Sequence, residues 1–138
     1  MSRLVEFFYP LPAPRRTAGA VFRWWEARRL DYNLIVGAAG CATIVATTLI
    51  QVLPGNSGLP PWPMIIVGTV AYGLLANLCY LLGPLIELTM YRIWGREAPR
   101  AGPVLFRQGL LFSIGLTLFP IALAGLGWIL QLFGRLLA

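Results

Sequence analysis

The sequence predicts an all-α membrane protein with three transmembrane helices, preceded by an N-terminal amphipathic helix lying in the membrane interface. Three observations carry that prediction. Hydrophobic residues make up 58% of the 138 residues and charged residues 12%, against a charged share of about 25% in soluble domains. Polar and charged residues gather in 1–32 and 92–108 and leave long apolar blocks between them, the signature that window hydropathy detects. Three of those blocks, 33–53, 63–91 and 109–133, reach the roughly 20 residues that a spanning helix needs. What remains outside them falls short of the roughly 50 residues of a domain with its own core. The chain therefore divides into an N-terminal segment, 1–32, and a three-helix transmembrane domain, 33–138.

The N-terminal segment opens with Pro10, Pro12 and Pro14, which favour extended backbone, and residues 1–16 are expected to order only against a membrane surface or a partner. From Thr17 to Tyr32 the pattern turns helical. Ala18, Val21, Phe22, Trp25 and Tyr32 gather on one face, with Arg23, Glu26 and Asp31 opposite. Such a helix would lie among headgroups, with Trp24 and Trp25 anchored in lipid and Arg23, Arg28 and Arg29 reaching phosphates. The alternative for the tryptophan pair is docking on a partner protein. A polar lead of 32 residues is not the short basic n-region of a cleavable signal, so the first apolar block reads as a retained anchor.

The first span, 33–53, carries small residues at four-residue spacing, Ala39, Thr43 and Thr47, a pattern that lets helices approach closely. The loop 54–62 that follows holds no charge and is rich in Gly and Pro, as a tight turn requires. Arginines instead flank the other side: Arg3, Arg15, Arg16, Arg23, Arg28 and Arg29 precede the first span, and Arg92, Arg96, Arg100 and Arg107 lie between the second and third. By the positive-inside rule both regions, and with them the N-terminus, are expected on the cytoplasmic side of the membrane.

The second span, 63–91, is the most informative. Gly73, Asn77, Tyr80, Pro84, Glu87 and Tyr91 recur at three- and four-residue steps and share a helical face that is expected to meet protein rather than lipid. Pro84 removes a backbone hydrogen bond, so a kink near Tyr80 is expected. Glu87 is ionisable inside a span and hence a site hypothesis; its plainest reading is a pair with Arg92 or another loop arginine. Asn77, deeper in the span, reads as interhelical glue. The third span, 109–133, repeats the small-residue spacing at Gly109, Ser113 and Thr117 and carries Pro120.

The residues also narrow the chemistry. All 11 basic residues are arginine and there is no histidine, so the convergent His, Cys, Lys and carboxylate groups of hydrolytic or redox centres are missing and no enzyme activity is predicted. Cys41 and Cys79 fall inside spans without metal-ligand spacing and are expected to pack as small buried residues. No metal or cofactor is predicted, although lipid or pigment at a shared interface is compatible with the aromatic content. A formal charge of +6 beside apolar spans points to anionic lipid and not to nucleic acid.

The run from Arg23 to Gly37 (RWWEARRLDYNLIVG), with 76–80 (ANLCY) and 83–87 (GPLIE), resembles a group of small bacterial polytopic membrane proteins. The resemblance covers most of the chain; it implies the membrane assignment and carries no activity with it. The functional expectation is a non-catalytic accessory subunit, or scaffold, of a larger inner-membrane complex, photosynthetic or respiratory. It would bind neighbouring subunits through Trp24, Trp25, Gly73, Asn77, Tyr80, Glu87 and Tyr91. The competing expectation is a small homo-oligomeric transporter or channel lined by Asn77, Tyr80 and Glu87.

Overall fold

The computed structural model describes residues 5, 11, 17–54 and 61–137. Among them the regular structure is helical: α1 (Ala18–Gln51), α2 (Trp62–Trp94), a single 3-10 turn (Gly95–Glu97) and α3 (Gly102–Leu136). Each long helix contains a stretch apolar enough to cross a membrane. At 1.5 Å per residue each is about 50 Å long, so its ends extend past a hydrocarbon core of about 30 Å.

The helix ends follow local chemistry. Thr17 caps α1, its hydroxyl accepting from the amide of Ala20 at 3.2 Å. Pro63 and Pro103 stand in the first turns of α2 and α3, where a missing N–H costs nothing. At the end of α2, Gly95 takes φ of 59°, a left-handed angle that only glycine adopts without strain. Both internal prolines are absorbed, α2 running unbroken through Pro84 and α3 through Pro120.

One expectation changes here. Residues 18–32 form no separate amphipathic helix; they are the first turns of α1 and run into 33–51 without interruption. Tyr32-Asn33 contains neither proline nor glycine, so no residue there favours a break. The apolar face assigned to headgroups is also occupied, because Val21, Trp25 and Tyr32 are buried in the bundle. The expected turn at 54–62 lies mostly outside the described residues, as does most of 1–16.

The bundle is closed at one end and looser at the other. Buried positions on α1 (Val21, Trp24, Trp25, Tyr32, Val36), α2 (Ala76, Tyr80, Pro84) and α3 (Gly102, Phe106, Leu110, Ser113, Thr117) follow the 3.6-residue period. All of them lie in the part that adjoins the arginine-bearing end. Beyond Val36 on α1 and Thr117 on α3, and before Ala76 on α2, no described helical residue is buried. Although α2 and α3 are sequence neighbours, α1 packs more extensively against α3 than α2 does, so the N-terminal helix is the element that unites the bundle.

Candidate functional site

Trp25 is the centre of the packed end. Its ring is 2% exposed and lies edge-on to Trp24, Tyr80 and Phe106 at centroid separations of 5.3, 5.6 and 6.1 Å. Its indole N–H donates to Oε2 of Glu87 at 2.7 Å, and its backbone carbonyl accepts from the Tyr80 hydroxyl at 2.5 Å. The ring also lies against bare backbone: a Cβ on Gly83 would meet Trp25 Cη2 at 2.3 Å. A glycine at this position is what lets the indole reach α2.

Glu87 ties three helices. Besides the indole of α1, its carboxylate faces the first residue of α3, where a Cβ on Gly102 would meet Oε2 at 2.6 Å. A carboxylate beside a helix N-terminus is electrostatically favoured, because the free amides of the first turn carry partial positive charge. The expected partner Arg92 is exposed and forms no ion pair with it. An ion pair at this end joins Arg29 and Glu26 at 2.7 Å on partly exposed α1, where such pairs contribute little.

The other basic and aromatic residues are also in contact with protein. The Arg28 guanidinium stacks 3.9 Å above the Trp24 ring and donates to the Trp24 carbonyl at 2.9 Å. The Trp24 indole donates to the carbonyl of Leu11 at 2.7 Å, so the tryptophan pair is engaged on one side by the N-terminal segment and on the other by the bundle. Arg29 lies 5.6 Å from the Tyr80 ring. Arg23 and Arg92 are exposed, while Tyr91 is half-buried.

Further along the bundle a ladder of hydroxyls and carbonyls joins the helices. The Tyr32 hydroxyl is hydrogen-bonded with Ser113 at 2.8 Å and donates to the carbonyl of Ala76 at 3.3 Å, so one group touches all three helices. Tyr72 is hydrogen-bonded with the Thr117 hydroxyl. Thr43 donates to the Thr117 carbonyl at 2.7 Å, which sets the small-residue stripes of α1 and α3 against each other. Inside a membrane such bonds replace the water that backbone and hydroxyl groups would otherwise need.

Two cavities flank this ladder. One, of about 360 Å³, lies between α2 and α3 and is floored by Trp25, Tyr32 and Tyr80. The other, of about 610 Å³, is a cleft between α1 and α2 backed by α3, with Gly37, Gly40, Gly68 and Gly73 in its walls. Asn33 and Asn77, near the middle of their helices, face each other across it, Asn33 Nδ2 donating to Asn77 Oδ1 at 3.3 Å. The expected polar face of α2 is thus divided: Tyr80, Pro84 and Glu87 meet α1 and α3, whereas Gly73 opens on the cleft with nothing within 4 Å of a Cβ placed there. Both cysteines are exposed and not buried as expected, Cys41 on the cleft and Cys79 on the smaller cavity. Their neighbours on the α1 and α2 faces do not close over them.

Sequence reasoning missed Ser113 and Thr117 as hydrogen-bonding residues, Tyr32 and Tyr72 as their partners, and Gly83 as a contact position. A tyrosine in phase with buried positions was the available signal, since a buried phenol needs a partner.

Fold and site together define a bundle of three helices long and apolar enough to cross a membrane, closed at one end by a tryptophan-glutamate junction. Compared with known protein families, with curated proteins and with solved structures, the chain shows no match in any of them.

Proposed function

We propose that this protein is a non-catalytic accessory subunit of a larger bacterial inner-membrane complex, with its N-terminus in the cytoplasm. It binds neighbouring subunits through its transmembrane faces and its N-terminal segment. The observation that supports this reading over a homo-oligomeric transporter is the engagement of Glu87, Tyr80 and Asn77 within one chain: each is hydrogen-bonded to α1. Groups that line a conduction path must exchange partners with the passing ion, and these three serve to join helices.

The outward surface fits the same reading. On α3, Phe119, Leu123, Leu126, Leu130 and Phe133 are all exposed and recur at alternating steps of four and three residues, the spacing of an interhelical seam. The arginines at the closed end fit a cytoplasmic, anionic lipid surface.

The test is purification of the tagged protein from its native membrane in mild detergent, followed by native-gel sizing, mass spectrometry and an absorbance spectrum. Foreign subunits recovered at fixed stoichiometry are the expected result. Recovery of this chain alone as a discrete oligomer overturns the proposal and directs attention to ion flux with the Glu87→Gln variant.

A further inference from the structure

We propose that the cleft between α1 and α2 is a binding site for a lipid-soluble molecule that carries an apolar chain and a neutral carbonyl head, received by Asn33 and Asn77. This inference stands independently of the accessory-subunit reading.

The cleft has the volume of a small-molecule site, about 610 Å³, within the usual range of roughly 300–1,000 Å³. It extends from Asn33 to Ile44 along α1 and from Asn77 to Met64 along α2, about 16–20 Å at 1.5 Å per residue, a shape suited to a chain. No described lining residue is charged, so a charged head would find no partner.

Most polar groups in its walls are already engaged. Thr43 donates to carbonyls of Ala39 and Thr117, Thr69 donates to Ile65, and Tyr72 is bonded with Thr117. The carboxamide pair is the exception. Asn33 gives one N–H to Asn77, and Asn77 gives one to the carbonyl of Gly73 at 3.1 Å. Each amide has two N–H groups, so each keeps one donor without a partner among the described residues. These donors face a groove whose walls are mostly apolar, where an N–H without an acceptor is costly. A plain acyl chain could fill the groove but leaves both donors unmet, whereas a carbonyl oxygen accepts from them. Such a carbonyl occurs in two kinds of membrane molecule, a quinone and an acylglycerol ester, and both share the required chemistry.

The two native cysteines make the test specific, because Cys41 lines the cleft and Cys79 lines the other cavity. Full-length protein in mild detergent is alkylated with N-ethylmaleimide, with decylubiquinone, dioctanoylglycerol or dodecane added, and mass spectrometry follows each cysteine. A carbonyl probe is expected to slow alkylation of Cys41 about fivefold or more and to leave Cys79 unchanged; which probe does so identifies the source of the carbonyl. Removing a hydrogen-bond donor with Asn77→Leu is expected to raise the protecting concentration about fivefold. Gly68→Leu keeps both amides and builds from a position with nothing within 4 Å, so it is expected to abolish protection by filling the cleft without disturbing the fold. The proposal is overturned by equal protection from dodecane, by equal slowing at both cysteines, by no slowing with any probe, or by protection indifferent to either substitution.

Discussion

Adding a single methyl group at Gly83 is expected to destabilise the bundle sharply, and the reason lies in the surroundings of Trp25. The new Cβ would stand 2.3, 2.5 and 2.9 Å from Cη2, Cζ3 and Cζ2 of the indole, well inside van der Waals contact. The ring has little room to withdraw, since it is 2% exposed and hemmed in by Trp24, Tyr80 and Phe106. If the ring stays, overpacking costs about 1–3 kcal/mol. If it swings away, the bond to Glu87 is lost, and a hydrogen bond to a charged group contributes about 1.5–3 kcal/mol. The two routes together bracket a loss of about 1–3 kcal/mol for Gly83→Ala, or about 5- to 150-fold in the unfolding constant. Gly73→Ala is the control, because its Cβ enters open space and alanine is the better helix former by up to about 1 kcal/mol. Equilibrium unfolding in mixed micelles with sodium dodecyl sulfate, read by tryptophan fluorescence, compares the two. A second measurement places Gly83→Ala in a Trp25→Leu background, which lacks the clashing atoms; there the added methyl is expected to cost almost nothing. Equal stability of Gly83→Ala and Gly73→Ala would refute the assignment of Trp25 as the element that joins α1 to α2.

Two further predictions concern the hydroxyl ladder and the orientation. In a double-mutant cycle, Tyr32→Phe and Ser113→Ala are expected to couple by about 0.5–1.5 kcal/mol, since they share one hydrogen bond; additive losses in the same unfolding assay would show that the bond contributes nothing. For orientation, Arg100→Cys in a chain whose native cysteines are replaced by alanine should react with a membrane-impermeant maleimide in inverted inner-membrane vesicles and stay protected in intact spheroplasts. Labelling in the reverse order would invert the proposed topology.

How much of this was legible in the sequence depends on the range of the interaction. The three helices were, because each needs only a long apolar run: α2 and α3 contain the expected spans 63–91 and 109–133, and α1 covers 33–53 except for its last two residues. Their ends were less so. Nothing local marks where 17–32 stops being an interfacial helix, since the same residues suit either a headgroup layer or a bundle core. The alternating steps from Gly73 to Tyr91 put those residues on one side of α2, but did not say what each would meet.

By itself the sequence determined that this chain forms long apolar helices, which faces of those helices carry polar groups, and which end gathers the arginines. All are properties of residues within a few turns of one another, where the helical period settles position. Only the tertiary structure decided that Trp25 reaches Glu87 across 62 positions of chain, that Gly83 is small because an indole lies upon it, and that Asn33 and Asn77 meet over an open cleft. These outcomes depend on how three helices rotate and tilt against one another. That choice is made by the summed packing of many side chains, and no single stretch of sequence contains it.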